Sequence, residues 1–399
     1  MSPLPGPDAA QCAHSAAVGT ALRALLATRG GWLGFDEFLQ QVLYAPGLGY
    51  YSAGATKFGP AGDFVTAPEL SPLFGACLAR HCAPLLANGA DLLEVGAGSG
   101  ALAETLLARL GELGALPAHY WILEVSADLR ERQRARLNLL PAAYRSRVHW
   151  LERLPERPLR GVIVANEVAD ALPFKCFAVT AQGFVERGVT RDGAGTWQWS
   201  ERPAGEDLRA ELARLEAELA AGIAPGFTPG FTRGFAPGFR SELCTRLNAW
   251  IGSLGAALEA GAILLFDYGL ARRELYHPQR LAGTLRCHYR QRAHDDPFML
   301  LGLQDITAWV DFTRVAEAAS AAGLEVAGYC TQAAFLLGSG IEAELAAVTA
   351  PLARARLASE ARALLLPGEM GETFKAMALT RGASNATGGF AVQDLRRLL

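Results

Sequence analysis

An α/β fold with a mostly parallel, Rossmann-like sheet is predicted by three features of the 399-residue chain. From residue 90 onward, short apolar runs alternate with helix-period segments, the βαβα order that builds a parallel sheet covered on both faces. Two of the runs, Gly161–Ala165 (GVIVA) and Ala262–Asp267 (AILLFD), carry no polar alternation and read as strands buried on both sides. The first run, Asp91–Val95, ends in a glycine-rich turn, Gly96-Ala97-Gly98-Ser99-Gly100, that leads into a helix.

Residues 1–14 read as a frayed tail. Ala16–Thr28 has helical spacing and stops at Gly30-Gly31, and Phe35–Tyr44 repeats the pattern with Phe35, Phe38, Leu39 and Val42. Residues 45–69 break every period and are rich in glycine, proline and aromatics, the composition of an ordered functional loop. Tyr120–Glu124 and Val148–Leu151 read as the second and third strands, and a helix from Ser126 to Leu139 joins them. Residues 178–199 read as turn-punctuated β structure. Asp207–Ala220 is a charged helix with Leu208, Leu212, Leu215 and Leu219 on one stripe. A four-residue repeat follows (PGFT, PGFT, RGFA, PGFR), too short for a solenoid and consistent with a duplicated surface loop. Glu242–Leu258, Asp311–Ala322 and Ile341–Leu365 read as helices, Val326–Cys330 and Phe374–Leu379 as closing strands. These elements divide into an N-terminal helical and loop cap (1–85), a first part of the core (86–200), a helical insert (201–258) and a second part of the core (259–399).

Composition narrows the function. With 51% hydrophobic and 19% charged residues the chain can bury a large core. A net charge of −3 argues against general nucleic-acid binding. Lysine is confined to Lys57, Lys175 and Lys375, which we read as a codon-usage effect. The seven cysteines are scattered, without C-x-x-C pairs or histidines at zinc spacing, so no metal site is expected and a reducing, cytoplasmic location is. No apolar stretch is long enough to span a membrane, and nothing near the N-terminus reads as a targeting segment. His288, His294, Asp295 and Asp296 lack ligand spacing and are expected at the surface; Arg286 and Asp305 are expected to pair.

The glycine turn offers bare backbone and free helix N–H groups to a ligand. Gly96-x-Gly98-x-x-Ala101 fits a dinucleotide site, and Glu94-x-Gly96-x-Gly98-x-Gly100 fits a site for S-adenosylmethionine. Spacing favours the second. A dinucleotide fold places its ribose acid about 20 residues past the glycines, whereas the strand-ending acid here, Glu124, lies 28 residues after Gly96. Glu94, an acid inside an apolar strand, gains a use beside a sulfonium or ammonium group. Glu124, with acceptor oxygens only, suits both ribose hydroxyls, or it caps the helix beside Ser126. Past the fourth strand, Asn166-Glu167-x-x-Asp170 sits at the carboxyl end of the sheet, where open α/β sheets carry their sites. Two carboxylates there suit a guanidinium: accepting its fork of N–H groups localises positive charge on the distal nitrogens and leaves the near nitrogen nucleophilic. The alternative is that Asn166 and Glu167 contact the cofactor alone and Asp170 caps a turn.

Several unusual strings run in order along most of the chain: Leu48-Gly49-Tyr50-Tyr51, Gly62-Asp63-Phe64-Val65-Thr66-Ala67-Pro68-Glu69, the glycine turn, residues 165–173 (ANEVADALP), Asp267-Tyr268-Gly269, Gly283-Thr284-Leu285-Arg286-Cys287 and residues 302–312 (GLQDITAWVDF). In these the chain resembles the MidA-like (DUF185) family of S-adenosylmethionine-dependent methyltransferases, which is related to a mitochondrial complex I assembly arginine methyltransferase. It departs from that pattern at the Pro-Gly-Phe repeat and at Trp309, where the mitochondrial branch has histidine. The resemblance implies a class I methyltransferase fold and S-adenosylmethionine as cofactor. It implies that Gly96, Ala97, Gly98 and Glu124 bind that cofactor; Glu94, Gly100 and Asn166 join them as cofactor contacts on the reading of the residues themselves. It implies that residues 62–69 close over it, with Thr66 and Glu69 in polar contact, and that Glu167 and Asp170 act on arginine in a protein, by resemblance a respiratory-complex subunit. Methylation of a small molecule, or a scaffold role with incidental catalysis, are the competing readings.

Overall fold

The structure is a computed structural model and describes residues 4–53, 66–86, 89–221, 235–383 and 388–399. The Gly62–Val65 part of the expected closing loop, and most of the Pro-Gly-Phe repeat, lie outside these residues. The chain forms two compact units, each assembled from three stretches: Met1–Ala55, Ala171–Arg246 and Leu270–Asp311 make the first, and Thr56–Asp170, Leu247–Gly269 and Phe312–Leu399 the second.

The second unit carries the predicted sheet. Its strands are β1 (Asp91–Val95), β2 (Tyr120–Leu123), β3 (Val148–Leu151), β4 (Leu159–Asn166), β5 (Leu258–Leu270), β6 (Glu325–Thr331) and β7 (Phe374–Arg381), in the order β6-β7-β5-β4-β1-β2-β3. All neighbours from β5 to β3 are parallel, and β7 is antiparallel to both β5 and β6. Central strands are buried on both faces, which explains their unbroken apolar runs: Val162, Ile163, Val164, Ile263 and Leu264 are all inaccessible. One face packs on the helices Pro72–Cys82 and Ala101–Glu112 through Phe74, Leu78, Leu102 and Leu106. The helices Leu247–Ala256 and Phe312–Ala321 pack on each other and share a clamp. Arg381, at the end of β7, donates to the carbonyls of Gly255 (2.7 Å) and Leu258, and to that of Ala322 (2.6 Å), satisfying acceptors that helix C-termini leave open.

The first unit is built on an antiparallel sheet. Leu33–Gly34, Gly183–Arg191, Lys175–Thr180 and Arg240–Leu243 lie in that order, with Trp197–Pro203 beside Gly183–Arg191. The helix Glu206–Ala221 buries Leu208, Leu212, Leu215 and Leu219 against Phe177 and Phe239, the stripe read from the sequence. Arg272 is buried between Glu218 and Asp311, the latter at 3.1 Å, and holds this helix down.

Several sequence expectations are corrected. The first helix runs over Ala9–Thr28, because Asp8 and Gln11 form a reciprocal capping box that fastens its N-terminus. Ile341–Leu365 is two helices, Ile341–Ala347 and Pro351–Leu365; proline lacks the N–H an uninterrupted helix needs there. The stretch expected as helix Glu242–Leu258 gives its start to the strand Arg240–Leu243 and its end to β5, leaving Leu247–Ala256 helical. Residues 171–200 pair in the antiparallel sheet and not with the core, so the chain divides at Asp170/Ala171, where the sequence reading placed a boundary after residue 200. Arg286 pairs with Asp295, and buried Asp305 instead accepts the Tyr51 hydroxyl at 2.7 Å. His294 is buried, opposite Cys287 in a strand pair.

Candidate active site

The glycine turn leaves β1 with three residues in the left-handed region: Gly96 (φ 70°), Gly98 (φ 53°) and Gly100 (φ 85°). A side chain is disfavoured in that conformation. At Gly96 a Cβ would also lie 3.2 Å from Val168, so the turn sits close against the residues that follow β4. Gly100 caps the helix Ala101–Glu112 without a side-chain acceptor, which leaves N–H groups at that end for a ligand. Ala97 is buried in the core beneath the turn.

Glu94 is buried and accepts the Tyr120 hydroxyl at 2.6 Å. Burial raises its pKa to about 7, against which the Tyr120 bond works. Glu124 follows β2 and is also buried. One of its oxygens accepts the Ser126 N–H at 2.9 Å, and the other accepts the Gln133 side-chain amide at 3.2 Å. Ser126 itself caps the helix Ala127–Leu137, so Glu124 supports that helix start as well. The next residue, Val125, is 71% exposed, a large apolar side chain with little packing of its own.

Glu69 reaches the glycine turn. Its carboxylate accepts the Ser99 hydroxyl and the Arg136 guanidinium (3.2 Å), and Arg136 also holds Glu104 at 2.9 Å. Thr66 is buried, and its carbonyl starts the short helix Ala67–Leu70; its side chain caps nothing.

A second group of acids lies after β4 and β5. Glu167 has φ 54°, rare for a side-chain-bearing residue, and its N–H donates to the Phe266 carbonyl at 2.8 Å. Its carboxylate accepts Asn166 Nδ2 (3.2 Å) and the Ala67 N–H (3.4 Å) on one oxygen, and the Tyr268 hydroxyl (3.4 Å) on the other. Buried Asp267 gathers the turn: one carboxylate oxygen accepts the backbone N–H groups of Val168, Ala169 and Asp170. Asp170 is buried in this turn. The other Asp267 oxygen and Asn166 Oδ1 are buried with no hydrogen-bond partner among the described residues. Burial raises Glu167 to about 8, with the charge of Asp267 adding to it, and burial raises Asp267 to about 7. Asn166, Glu167 and Asp170 are the residues the sequence names here; it offers Asp267 and Tyr268 only as part of a string, without a role. Sequence reading misses Tyr120, Val125 and Gln133; a glutamine at the centre of the stripe Leu129, Gln133, Leu137 is the available signal for the last.

An S-adenosyl-L-methionine-dependent methyltransferase family model matches residues 77–330, the span from the first core helix to β6. The chain belongs to this methyltransferase family. A Burkholderia thailandensis protein whose crystal structure holds S-adenosyl-homocysteine is 42% identical, with TM-score 0.89 over 100% of both chains. The mitochondrial protein arginine methyltransferase NDUFAF7 of Danio rerio is 27% identical over 86% of this chain and 82% of its own. The human protein of that name is 27% identical over 86% and 79%.

The methyltransferase therefore uses S-adenosylmethionine, and its residues fit that group. Three left-handed glycines in the turn, a buried acid just before it and a buried acid after β2 suit a ligand with a ribose diol and positive charge. Among the described residues no three metal-ligating side chains converge, and no helix is long and apolar enough to cross a membrane.

Proposed function

We propose that this enzyme methylates arginine side chains of a protein substrate. The observation that carries the reading is the acceptor cluster after β4 and β5. Glu167 lies beside two buried oxygens, Asn166 Oδ1 and Asp267 Oδ1, that have no donor among the described residues. A guanidinium brings five N–H donors in a planar fork and no acceptor, so it complements such a cluster. The names of the mitochondrial relatives support the same substrate class.

The cofactor, when bound, supplies a methyl group on a sulfonium, held by Gly96, Ala97, Gly98 and Gly100, with Glu124 on the ribose diol and Glu94 behind the turn. Glu69 and Thr66 bring the segment before the first core helix against that turn. Glu167 accepts two guanidinium N–H groups, localises the positive charge on the distal nitrogens and turns the near nitrogen toward the methyl. As the N–C bond forms, the S–C bond to the methyl would break and leave S-adenosylhomocysteine; the nitrogen sheds one proton, for which the Glu167 carboxylate is the acceptor at hand. Asp170 works beside Glu167 on the same turn, and Asn166 orients Glu167 through its amide. We place the enzyme in a reducing cytoplasm, a compartment that suits its seven free cysteines.

The test uses purified enzyme, S-adenosylmethionine with a labelled methyl, and a soluble protein extract as substrate, followed by hydrolysis of the protein to amino acids. Label in methylarginine, absent with Glu167→Gln, is the expected result. Label confined to another amino acid or to small molecules overturns the arginine assignment, and no label with any acceptor favours the scaffold reading.

A further inference from the structure

The helix Ala127–Leu137 presents three buried residues, Leu129, Gln133 and Leu137, spaced four apart. A polar side chain in the middle of that stripe is fully inaccessible. A leucine there would continue the apolar contact, so the amide needs a reason.

Its bonds supply one. Gln133 Nε2 donates to the Gly98 carbonyl at 2.9 Å and to Glu124 at 3.2 Å, and its Oε1 accepts the Trp150 indole N–H at 2.9 Å. One side chain thus joins the turn after β1, the acid after β2 and a residue of β3. Both donors of the amide are used, and their acceptors, Gly98 and Glu124, are two elements of the cofactor site that follow successive strands. The backbone at Gly100 also lies against this residue: a Cβ there would sit 3.4 Å from the Gln133 Cα.

We infer that Gln133 is a positioning residue for the cofactor, setting the glycine turn and the Glu124 carboxylate in one fixed relation. The Gly98–Ser99 peptide is trans, like every described peptide bond, so a Gly98 carbonyl held on Gln133 turns the Ser99 N–H to the opposite side, away from the helix. Glu124 is held at both oxygens, by Gln133 and by the Ser126 N–H, which fixes the plane of its carboxylate. Without Gln133 one Glu124 oxygen and the Gly98 carbonyl each lose this shared donor. Neither change touches the reacting methyl. The inference rests on the assignment of Glu124 to the ribose.

The test is binding of S-adenosylhomocysteine and of its 2′-deoxy analogue to the full chain, by calorimetry, beside a thermal melt of the ligand-free protein. Gln133→Met keeps the volume and removes the amide. It is expected to weaken S-adenosylhomocysteine by about 10- to 100-fold, to weaken the deoxy analogue less, and so to shrink the preference for an intact ribose. Trp150→Phe, which releases the other end of the amide, is expected to lie between parent and Gln133→Met. If Gln133→Met does not fold, Gln133→Asn takes its place, since it keeps the amide but is one methylene too short to reach both partners. A folded variant that binds S-adenosylhomocysteine within twofold of the parent, or keeps the parent's ribose preference, overturns the inference and makes Gln133 a core filler. Glu124→Ala is measured in parallel: if it keeps the ribose preference, the assignment of Glu124 itself fails, whatever Gln133 does.

Discussion

Asp267 accepts the backbone N–H of Ala169 at 2.9 Å, and the N–H groups on either side, from Val168 and Asp170, close on the same oxygen at 3.2 and 3.3 Å. These bonds hold the turn after β4 in the one conformation that gives Glu167 its positive φ. Asp267 belongs to β5, so the neighbouring strand shapes the residue to which the proposed function gives the substrate. Strained backbone of this kind persists only where its surroundings over-determine it.

Glu167→Gln keeps the shape of the side chain and an acceptor oxygen but removes the charge and the proton acceptor. Methyl transfer to arginine peptides is expected to fall by about 100- to 1,000-fold, chiefly in kcat. The affinity for S-adenosylhomocysteine is expected to stay within about threefold. Steady-state kinetics and calorimetry check the two halves; an unchanged kcat would remove Glu167 from the chemistry.

The raised acids make stability depend on pH with a definite sign. Glu167 and Asp267 hold their protons in the folded chain up to about 8 and about 7, against ordinary values of 4.5 and 3.8. Between the two ranges the folded state binds more protons than the unfolded state, so stability falls as pH rises. The ligand-free enzyme is expected to lose denaturant midpoint from pH 6 to pH 9, and Glu167→Gln to flatten that slope. A midpoint that rises over the same range would show that both acids are ionised in the folded state.

Binding of a guanidinium reverses the preference, because the cation favours the ionised carboxylate. An arginine peptide added at pH 7 to the enzyme with S-adenosylhomocysteine is expected to release a proton, seen as a binding heat that varies with the ionisation heat of the buffer. A heat independent of buffer means that Glu167 is already ionised.

Gly98→Val is expected to abolish measurable binding of S-adenosylhomocysteine, a loss of more than about 100-fold, since a β-branched residue resists the left-handed conformation and its side chain enters the cradle. Gly96→Ala meets Val168 at 3.2 Å and is expected to show a milder loss of about 10-fold. Arg381→Met, distant from the cofactor, is expected to leave binding intact and to cost about 2–4 kcal/mol of stability, because three backbone carbonyls lose a charged donor. Denaturant unfolding checks it.

The site was legible where its chemistry is local. The apolar run of β1, the glycines behind it and the acid after β2 lie within one βαβ unit, and the leucine stripe of Glu206–Ala221 declares its own buried face. Long-range relations were not legible. Asp267 meets the turn after β4 from a strand almost a hundred residues away, and nothing in either segment announces that bond. Arg286 had two acids within reach of a guess, and tertiary packing gave it Asp295 while Tyr51 took Asp305. Ala9 begins a helix because Asp8 and Gln11 cap each other, a pattern easily lost in a stretch rich in proline and alanine. The division at Asp170/Ala171 was hidden because the strand Lys175–Thr180 has the same apolar composition as a core strand and differs only in what it pairs with.

The place of β5 in the sheet bears on biogenesis. This strand lies between β4 and β7, yet in the chain it comes after the whole stretch Ala171–Arg246, which belongs to the other unit. While the ribosome works through that stretch, β1 to β4 are already outside or nearly so, and β4 offers an unpaired apolar edge, the kind of surface that recruits other chains. The nascent polypeptide thus spends a sizeable part of its translation with its central seam open. Strain on the folding machinery, and the yield of soluble protein on overexpression, are set by how quickly that intervening stretch folds and lets β5 arrive.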